Sequence, residues 1–473
     1  MSVLDAFLKS AADHEDRLAI IDGGGKSITY GALAARAETL ANRFHIKGVR
    51  RGDRVLLAMP LGIDLYGSLA ALWWLGATIV FPEPALGLKG LRHAARTTRP
   101  RAFLASGPYR LLRYCVPEIW NIELALSPGA DGAGNEAARP VTLSGDDPAL
   151  ISFTSGSTGE PKAIVRSHGF LLAQNAAVSP LLRSESGAER DLVAFPVFVL
   201  VNLGLGLTSV LPNWNLKRPD KALASEIRTH IANQAVTRLL IPPVLCEALC
   251  NEEDLSGVHS IFTGGGPLYP DIARRLQDQF PHVSLTIVYG STEAEPIAHV
   301  SAAEMQDEDW LVMQTGGGLL AGEPVPDVQV RLVADEIVVN GDHVNKGYLN
   351  PDHDVTTKLA LGGDIWHRTG DAGRFDEKGR LWLLGRCQDS FDGHYPFSIE
   401  IAARTWPGVR RAALCRVKDE AVIAIEGDQS HIDVWREQAA SLGIDTIRRI
   451  EAMPLDKRHR SKIDMIALTR MVN

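Results

Sequence analysis

The chain reads as an α/β protein, on three observations. Short apolar, β-branched runs alternate with longer amphipathic runs along most of its length. Residues 327–349 and 372–384 break instead into short strands and turns (VQVRLVADEIVVNG; GRFDEKGRLWLLG). The residues after Arg386 carry strands and helices of their own. Alternation of this kind argues for layered αβ domains with largely parallel sheets. The second pattern argues for a small β-rich unit and the third for a small α+β domain, so we place a domain boundary between residues 385 and 386. At 473 residues, 45% hydrophobic and 22% charged, the chain has room for roughly three domain-sized cores.

Taken in order, residues 1–30 predict an amphipathic helix followed by a hairpin, with apolar runs on both sides of Gly23–Gly25. Residues 31–48, rich in Ala and Leu, predict a helix. Strand Val55–Met59, helix Ile63–Leu75, strand Thr78–Phe81, helix Leu88–Arg96 and strand Ala102–Ala105 follow. The Gly-, Ala-, Pro- and Asp-rich stretch 127–146 predicts an exposed connection. Beyond it the rhythm resumes: helix 167–178, strand 191–195, helices 203–210 and 220–233, strand 237–241, helix 243–250, strand 259–262, helix 270–279 and strand 284–288. A helix over about 431–442 closes the pattern.

Composition excludes several classes. The net charge is −8, and there is no basic tract with interleaved aromatics of the kind that binds nucleic acid. Five scattered cysteines form no C-x-x-C pair, and Cys246 and Cys250 lack partners at zinc-ligand spacing, so buried free thiols are expected. The most apolar stretch, Leu69 to Phe81, is too short to span a bilayer. The N-terminus is neither a signal nor a transit peptide, which predicts a cytoplasmic protein.

The densest chemical signal is ISFTSGSTGEPK, residues 151–162. Thr154, Ser155, Gly156, Ser157, Thr158 and Gly159 are all Thr, Ser or Gly, and Pro161 and Lys162 close the run. Hydroxyls and free backbone N–H groups packed this closely suit a phosphate chain, since glycine lets the backbone approach and successive N–H groups form an anion nest. The spacing is not that of a Walker loop, because Lys162 lies three residues beyond Gly159 and Ala163 follows it. Taken alone, the loop is equally compatible with a flexible linker.

Four further stretches decide between the two. Thr263-Gly264-Gly265-Gly266-Pro267 follows a predicted strand, and Tyr289-Gly290-Ser291-Thr292-Glu293 follows the next. Thr369-Gly370-Asp371 precedes the β-rich turn that ends at Gly385-Arg386, and Ser461-Lys462-Ile463-Asp464 lies near the C-terminus. In this order the set resembles the adenylate-forming superfamily of acyl-CoA synthetases, luciferases and peptide-synthetase adenylation domains, over about residues 10 to 468. The resemblance implies a large N-terminal domain of two αβ-layered subdomains plus a β-unit, then a small mobile lid. It also implies ATP- and Mg²⁺-dependent joining of a carboxylate to the α-phosphate, with pyrophosphate released. By this resemblance Thr154 to Gly159 and Lys162 cradle the outer phosphates. Gly264, Gly265, Gly266, Tyr289, Gly290 and Ser291 surround the adenine, and Asp371 with Arg386 takes the ribose. Thr292 holds the α-phosphate, Glu293 the Mg²⁺, and Lys462 the charge that builds between carboxylate and phosphate. The hinge falls at Arg386 to Asp389, including Gln388.

The departures bear on the substrate and the acceptor. Ala194 to Gly206 stands where many members carry P-L-F-H, with Val199 in the place of the histidine. Residues 192–212 hold no carboxylate to pair with a substrate ammonium, so an apolar acyl chain is expected, lined by Phe198, Val199, Leu203 and Pro243. Glu400 lies fourteen residues beyond Arg386, a shorter interval than the loop that helps build the thiol tunnel in acyl-CoA ligases. PLDKRHRSK (454–462), with the F-P-x-F segment and WHRTGD…GRLWLLGR, is similar to the β-lactone synthetase branch, whose substrate's own hydroxyl displaces AMP. Three acceptors stay open: coenzyme A, an acyl carrier protein's thiol, or that hydroxyl. A nucleotide-binding regulatory protein that has lost catalysis is the alternative of another class.

Overall fold

The computed structural model describes residues 1–82, 86–129, 138–154, 160–183, 189–216, 218–219, 222–418, 420–454 and 463–472. The architecture is mixed α/β, as expected. The chain groups into two compact units, one of Met1–Lys217, Asn233–Arg238 and Asp342–Lys358, the other of Arg218–Ala232, Leu239–Gly341 and Leu359–Asn473.

In the first unit, strands Leu124–Leu126, Ala102–Ala105, Arg54–Ala58, Thr78–Val80, Pro148–Thr154 and Lys162–Ser167 lie side by side in that order. All neighbours are parallel except the last pair, an antiparallel hairpin. A second set runs Arg190–Val193, Thr208–Val210, Leu18–Ile21 and Ser27–Thr29. Helix Val3–Asp13 opens with a capping box between Ser2 and Asp5, which satisfies backbone donors that a helix start leaves open. Helix Ile63–Trp74 is buried from Leu65 through Trp73, as its largely apolar sequence requires. It joins a core cluster with Phe7, Tyr30 and Leu200.

In the second unit, parallel strands Ser260–Gly264 and Ser284–Ser291 lead into an antiparallel series. That series runs Ala294–Ser301, Leu319–Pro324, Leu381–Arg386, Asp364–Phe375, Glu336–Gly341 and Val328–Val333. Strands Val409–Val417, Glu420–Gly427 and Thr446–Ile450 form a separate small sheet against helices Pro396–Arg404 and Ile432–Ser441.

Two local expectations are corrected. Helix 203–210 is instead the end of helix Pro196–Leu205 and a strand Thr208–Val210, because Gly206 at φ 73° caps the helix in the left-handed region. Strands Lys162–Ser167 and Ala294–Ser301 were not anticipated from the sequence. The connection at 127–146 is not wholly exposed: Ala138 and Leu143 are buried, and the Trp74 indole N–H donates to the Ala138 carbonyl at 2.9 Å.

Candidate active site

In the first unit the site begins at the hairpin. Thr154 and Lys162 are paired across the two strands, so the loop between them starts and ends at one point of the sheet edge. Both side chains are buried. Residues Ser155 to Gly159, on which the phosphate reading mainly rests, lie outside the described residues, as does Lys462. Lys162 extends its ammonium over the ring of Tyr348, 5.6 Å from the centroid, and Lys358 sits 5.2 Å from the same centroid. Tyr348 is fixed by its backbone: it bridges Ile164, and its N–H donates to Asp354 Oδ1 at 2.9 Å. Lys358 donates to the Asn345 carbonyl. Asn345 Oδ1 accepts from the Gly347 N–H, which leaves its buried Nδ2 as a donor with no partner among the described residues. His93, from helix Gly87–Thr98, has Nε2 2.8 Å from the Pro161 carbonyl. A carbonyl can only accept, so that ring nitrogen carries the hydrogen.

In the second unit the residues converge by register. Gly264 and Val288 are partners in parallel strands, and a Cβ on Gly264 would lie 2.6 Å from the Val288 carbonyl oxygen. Only glycine permits that approach. Gly265, at φ 75°, turns the chain away in the left-handed region. Gly264 to Gly266 and Tyr289 to Glu293 therefore meet at the carboxyl ends of two parallel strands, the edge where open αβ sheets take ligands.

Tyr289 donates its hydroxyl to Asp371 Oδ2 at 2.9 Å. Burial, then the Asp371 charge, holds the phenol well above its ordinary pKa, so it stays a donor. Asp371 and Arg386 are opposed across a strand pair, with Arg386 Nε 3.2 Å from Oδ1. Arg386 also donates to the Thr369 carbonyl at 2.9 Å, and the Asp371 N–H donates to Thr369 Oγ1 at 3.1 Å. Thr292 and Glu293, both half-buried, occupy the turn into strand Ala294–Ser301. Ser291 Oγ beside them is buried with no partner among the described residues.

Gln388 and Asp389 lie in the short turn Cys387–Asp389 directly after Arg386. Burial raises the Asp389 carboxyl above its usual range and pushes the Cys387 thiol up to about 11. Beyond them, Phe391 and His394 exchange both backbone hydrogen bonds around Asp392 and Gly393, each with positive φ. This is a tight two-residue hairpin turn.

The expected acyl-lining residues are placed as follows. Phe198 is half-buried, edge-on to Phe195, whereas Val199 and Leu203 belong to the apolar core of the first unit. Leu203 lines a cavity of about 10 Å³ with Val3, Phe7, Tyr66, Ala70, Trp73 and Leu200, barely the space of one water. Pro243 is buried at the start of helix Pro243–Leu249 in the second unit. Asp191, one residue before the carboxylate-free stretch, is committed to Arg238 through two bonds of 2.7 and 2.8 Å. Sequence reasoning missed Tyr348, Lys358, Asn345 and His93. For Asn345 and Tyr348 the local signal is the turn-rich N-K-G-Y-L-N-P run at 345–351; His93 and Lys358 have none.

Glycine-lined ends of parallel strands with a positioned carboxylate in one unit, and a lysine-closed hairpin in the other, are features of a nucleotide-directed αβ enzyme. Its kind is that of the adenylate-forming ligases. The chain belongs to the AMP-binding enzyme family, which it matches over residues 7–349. It is 27% identical to the olefin β-lactone synthetase of Xanthomonas campestris pv. campestris, across 96% of this chain and 94% of that one. It is 30% identical to a feruloyl-CoA synthase of Amycolatopsis, across 87% and 86%. Among solved structures, it shares the fold of an amide bond synthetase from Marinactinospora thermotolerans, with a TM-score of 0.83, 20% identity and both chains covered completely. An o-succinylbenzoate coenzyme A synthetase from Bacillus subtilis, in complex with ATP and magnesium ion, has a TM-score of 0.77, 19% identity and coverage of 97% and 98%.

Proposed function

We propose that this chain uses ATP and Mg²⁺ to adenylate an acyl carboxylic acid bearing a β-hydroxyl, and that this hydroxyl then displaces AMP. In the first step a carboxylate oxygen bonds to the α-phosphorus as the bond to pyrophosphate breaks. In the second the hydroxyl oxygen bonds to the acyl carbon, the bond to AMP breaks, and the hydroxyl proton leaves to a base. Lys162, with Thr154 to Gly159, receives the outer phosphates. Asn345 Nδ2, which has no partner among the described residues, and Lys358 supply further donors beside it. Asp371 accepts from the ribose hydroxyls, held in place by Tyr289 and Arg386. Thr292 orients the α-phosphate, and Lys462 balances the charge that develops there.

No group of three His, Cys, Asp or Glu among the described residues could hold a metal by itself. That fits magnesium, which is usually carried by one or two carboxylates and the substrate phosphates; Glu293 is the carboxylate here. When bound, the ion spreads charge over the phosphates.

One observation carries the choice of acceptor. The segment after Arg386 closes on itself at Phe391–His394, so it offers no extended loop to shape a thiol tunnel. The resemblance to β-lactone synthetases supports the same reading. The relatives that make coenzyme A thioesters support a second one, in which a coenzyme A or carrier-protein thiol is the acceptor. Asp191 is held by Arg238, which supports an acid without an α-ammonium. Incubating β-hydroxy acids with ATP, with and without a thiol, and identifying products by mass tests both. The expected product is the acid less one water, with AMP and pyrophosphate, unchanged by thiol. A thioester formed only when thiol is present would overturn the lactone reading. Absence of any acid-dependent pyrophosphate exchange in the folded protein would overturn adenylation itself and leave a nucleotide-binding regulator.

A further inference from the structure

The first unit carries a surface that the adenylation site does not use. Between Leu86 and Glu123, Lys and Arg outnumber Asp and Glu by seven to two, in a chain whose net charge is −8. The residues are too dispersed to read as a basic tract, and the fold packs helix Gly87–Thr98 and the 112–119 stretch on one shared core. Helix Gly87–Thr98 is tied to the turn Pro117–Trp120 by Arg92, whose Nε lies 2.8 and 3.0 Å from the two Glu118 oxygens. Arg101 is likewise committed to Asp53 and Glu123. Lys89, Arg96, Arg99 and Arg110 remain exposed.

The turns at 107–120 bury one side and project the other. Val116 and Ile119 enter a core cluster, with Leu112 packed against it. Leu111, Tyr114 and Trp120 point outward at 62%, 75% and 56% exposure, with Tyr109 at 40%. Side chains this exposed are projections rather than the walls of a groove, so they do not suit capture of a partner helix. Tyr and Trp with apolar bodies and polar tips, with Leu, Arg110 and the exposed Lys and Arg of the helix tied to them, match the interfacial layer of a bilayer bearing negative headgroups.

We propose that the face made by Tyr109, Leu111, Tyr114 and Trp120, with the basic residues of helix Gly87–Thr98 and Arg110, docks this enzyme on an anionic lipid surface. Aromatic and leucine side chains insert at headgroup depth, and Lys89, Arg96, Arg99 and Arg110 hold the phosphates around them. Attachment is peripheral, since no helix among the described residues is long and apolar enough to cross a membrane. The proposal does not depend on which acid or acceptor the enzyme uses.

Sedimentation of the full chain with phosphatidylcholine vesicles, with and without about one-third phosphatidylglycerol, tests it. Binding is expected to the anionic vesicles only, weakening as salt rises. Replacing Arg96, Arg99 and Arg110 by Ala together should weaken it about fivefold per residue. Leu111→Ala, Tyr114→Ala and Trp120→Ala together should weaken it about tenfold or more. Both variants should keep the wild-type melting temperature and turnover on a soluble acid. No sedimentation with anionic vesicles at low salt would overturn the proposal and turn the patch toward an acidic protein. Binding that survives in both folded variants would overturn it as well.

Discussion

Glu400 shows how much one side chain can reveal. It is 7% exposed on helix Pro396–Arg404, and a carboxylate oxygen accepts the Leu414 N–H at 3.1 Å. Burial pushes its pKa up to about 8; the Asp389 charge adds to the rise, and the Leu414 hydrogen bond and Arg404 oppose it. The folded state therefore binds a proton that the unfolded chain has already released between about pH 4.5 and 8. Stability from this group is fully present below the unfolded value and is lost as pH rises through the folded one. Its loss should amount to a few kcal/mol, order of magnitude, by pH 9. Glu400→Gln keeps the acceptor for Leu414 without the ionisation. The variant should melt at a higher temperature than wild type at pH 9, and the two should converge near pH 5. A wild-type melting curve indifferent to pH across that window would refute the assignment. Sequence alone placed Glu400 only as the end of a short loop, because its environment is made by a strand fourteen residues away.

At the scale of elements, helix Pro396–Arg404 is joined to helix Pro270–Gln279 by one arginine. Arg404 forms two bonds to Asp271, of 3.2 and 2.9 Å, and its guanidinium lies 4.0 Å from the centroid of Tyr269. Asp271 sits in the first turn of its helix, where a carboxylate is also favoured by the open backbone N–H groups. A bidentate, stacked arginine that is 11% exposed should count for more than an ordinary surface pair. A double-mutant cycle of Arg404→Ala and Asp271→Ala, read by chemical denaturation, should give a coupling of about 1–2 kcal/mol. A coupling near zero would reduce the contact to a chance encounter.

This joint was not legible in the sequence, whereas the helices that it joins were. Helix 270–279 coincides with its predicted range, since Pro270 starts it and the apolar spacing is regular. Strand Ala294–Ser301 was missed because Glu295 and Pro296 break its alternation. The boundary within 203–210 was missed because an apolar run fits either period until the φ of Gly206 is known. The site divides along the same line. Gly264, Tyr289, Asp371 and Arg386 stand in motifs and could be named from the chain. Tyr348, Lys358 and Asn345 acquire meaning only because residues 342–358 pack with the hairpin that carries Lys162.

For the whole molecule, the motifs fall in two units: Thr154 and Lys162 in one, Tyr289, Asp371 and Arg386 in the other. Compactness keeps Leu359–Asn473 together with the strands that carry Tyr289, so the hinge at Arg386 to Asp389 and the boundary between 385 and 386 stand as proposals about motion. If a single lysine from the C-terminal segment serves only the first half-reaction, the two halves must separate under mutation. Lys462→Ala should lower acid-dependent pyrophosphate exchange on the order of 10²–10³. Release of AMP from a supplied β-hydroxyacyl-adenylate should change little. Lys162→Ala should raise the ATP concentration needed for half-maximal exchange about tenfold, the scale expected for one charge-assisted phosphate contact, and leave the affinity for a non-hydrolysable acyl-adenylate analogue unchanged. Lys162 would then serve the leaving pyrophosphate rather than the acyl-adenylate. Equal loss of exchange and of analogue binding in the Lys162 variant would mean that the hairpin supports the whole site rather than holding the leaving group.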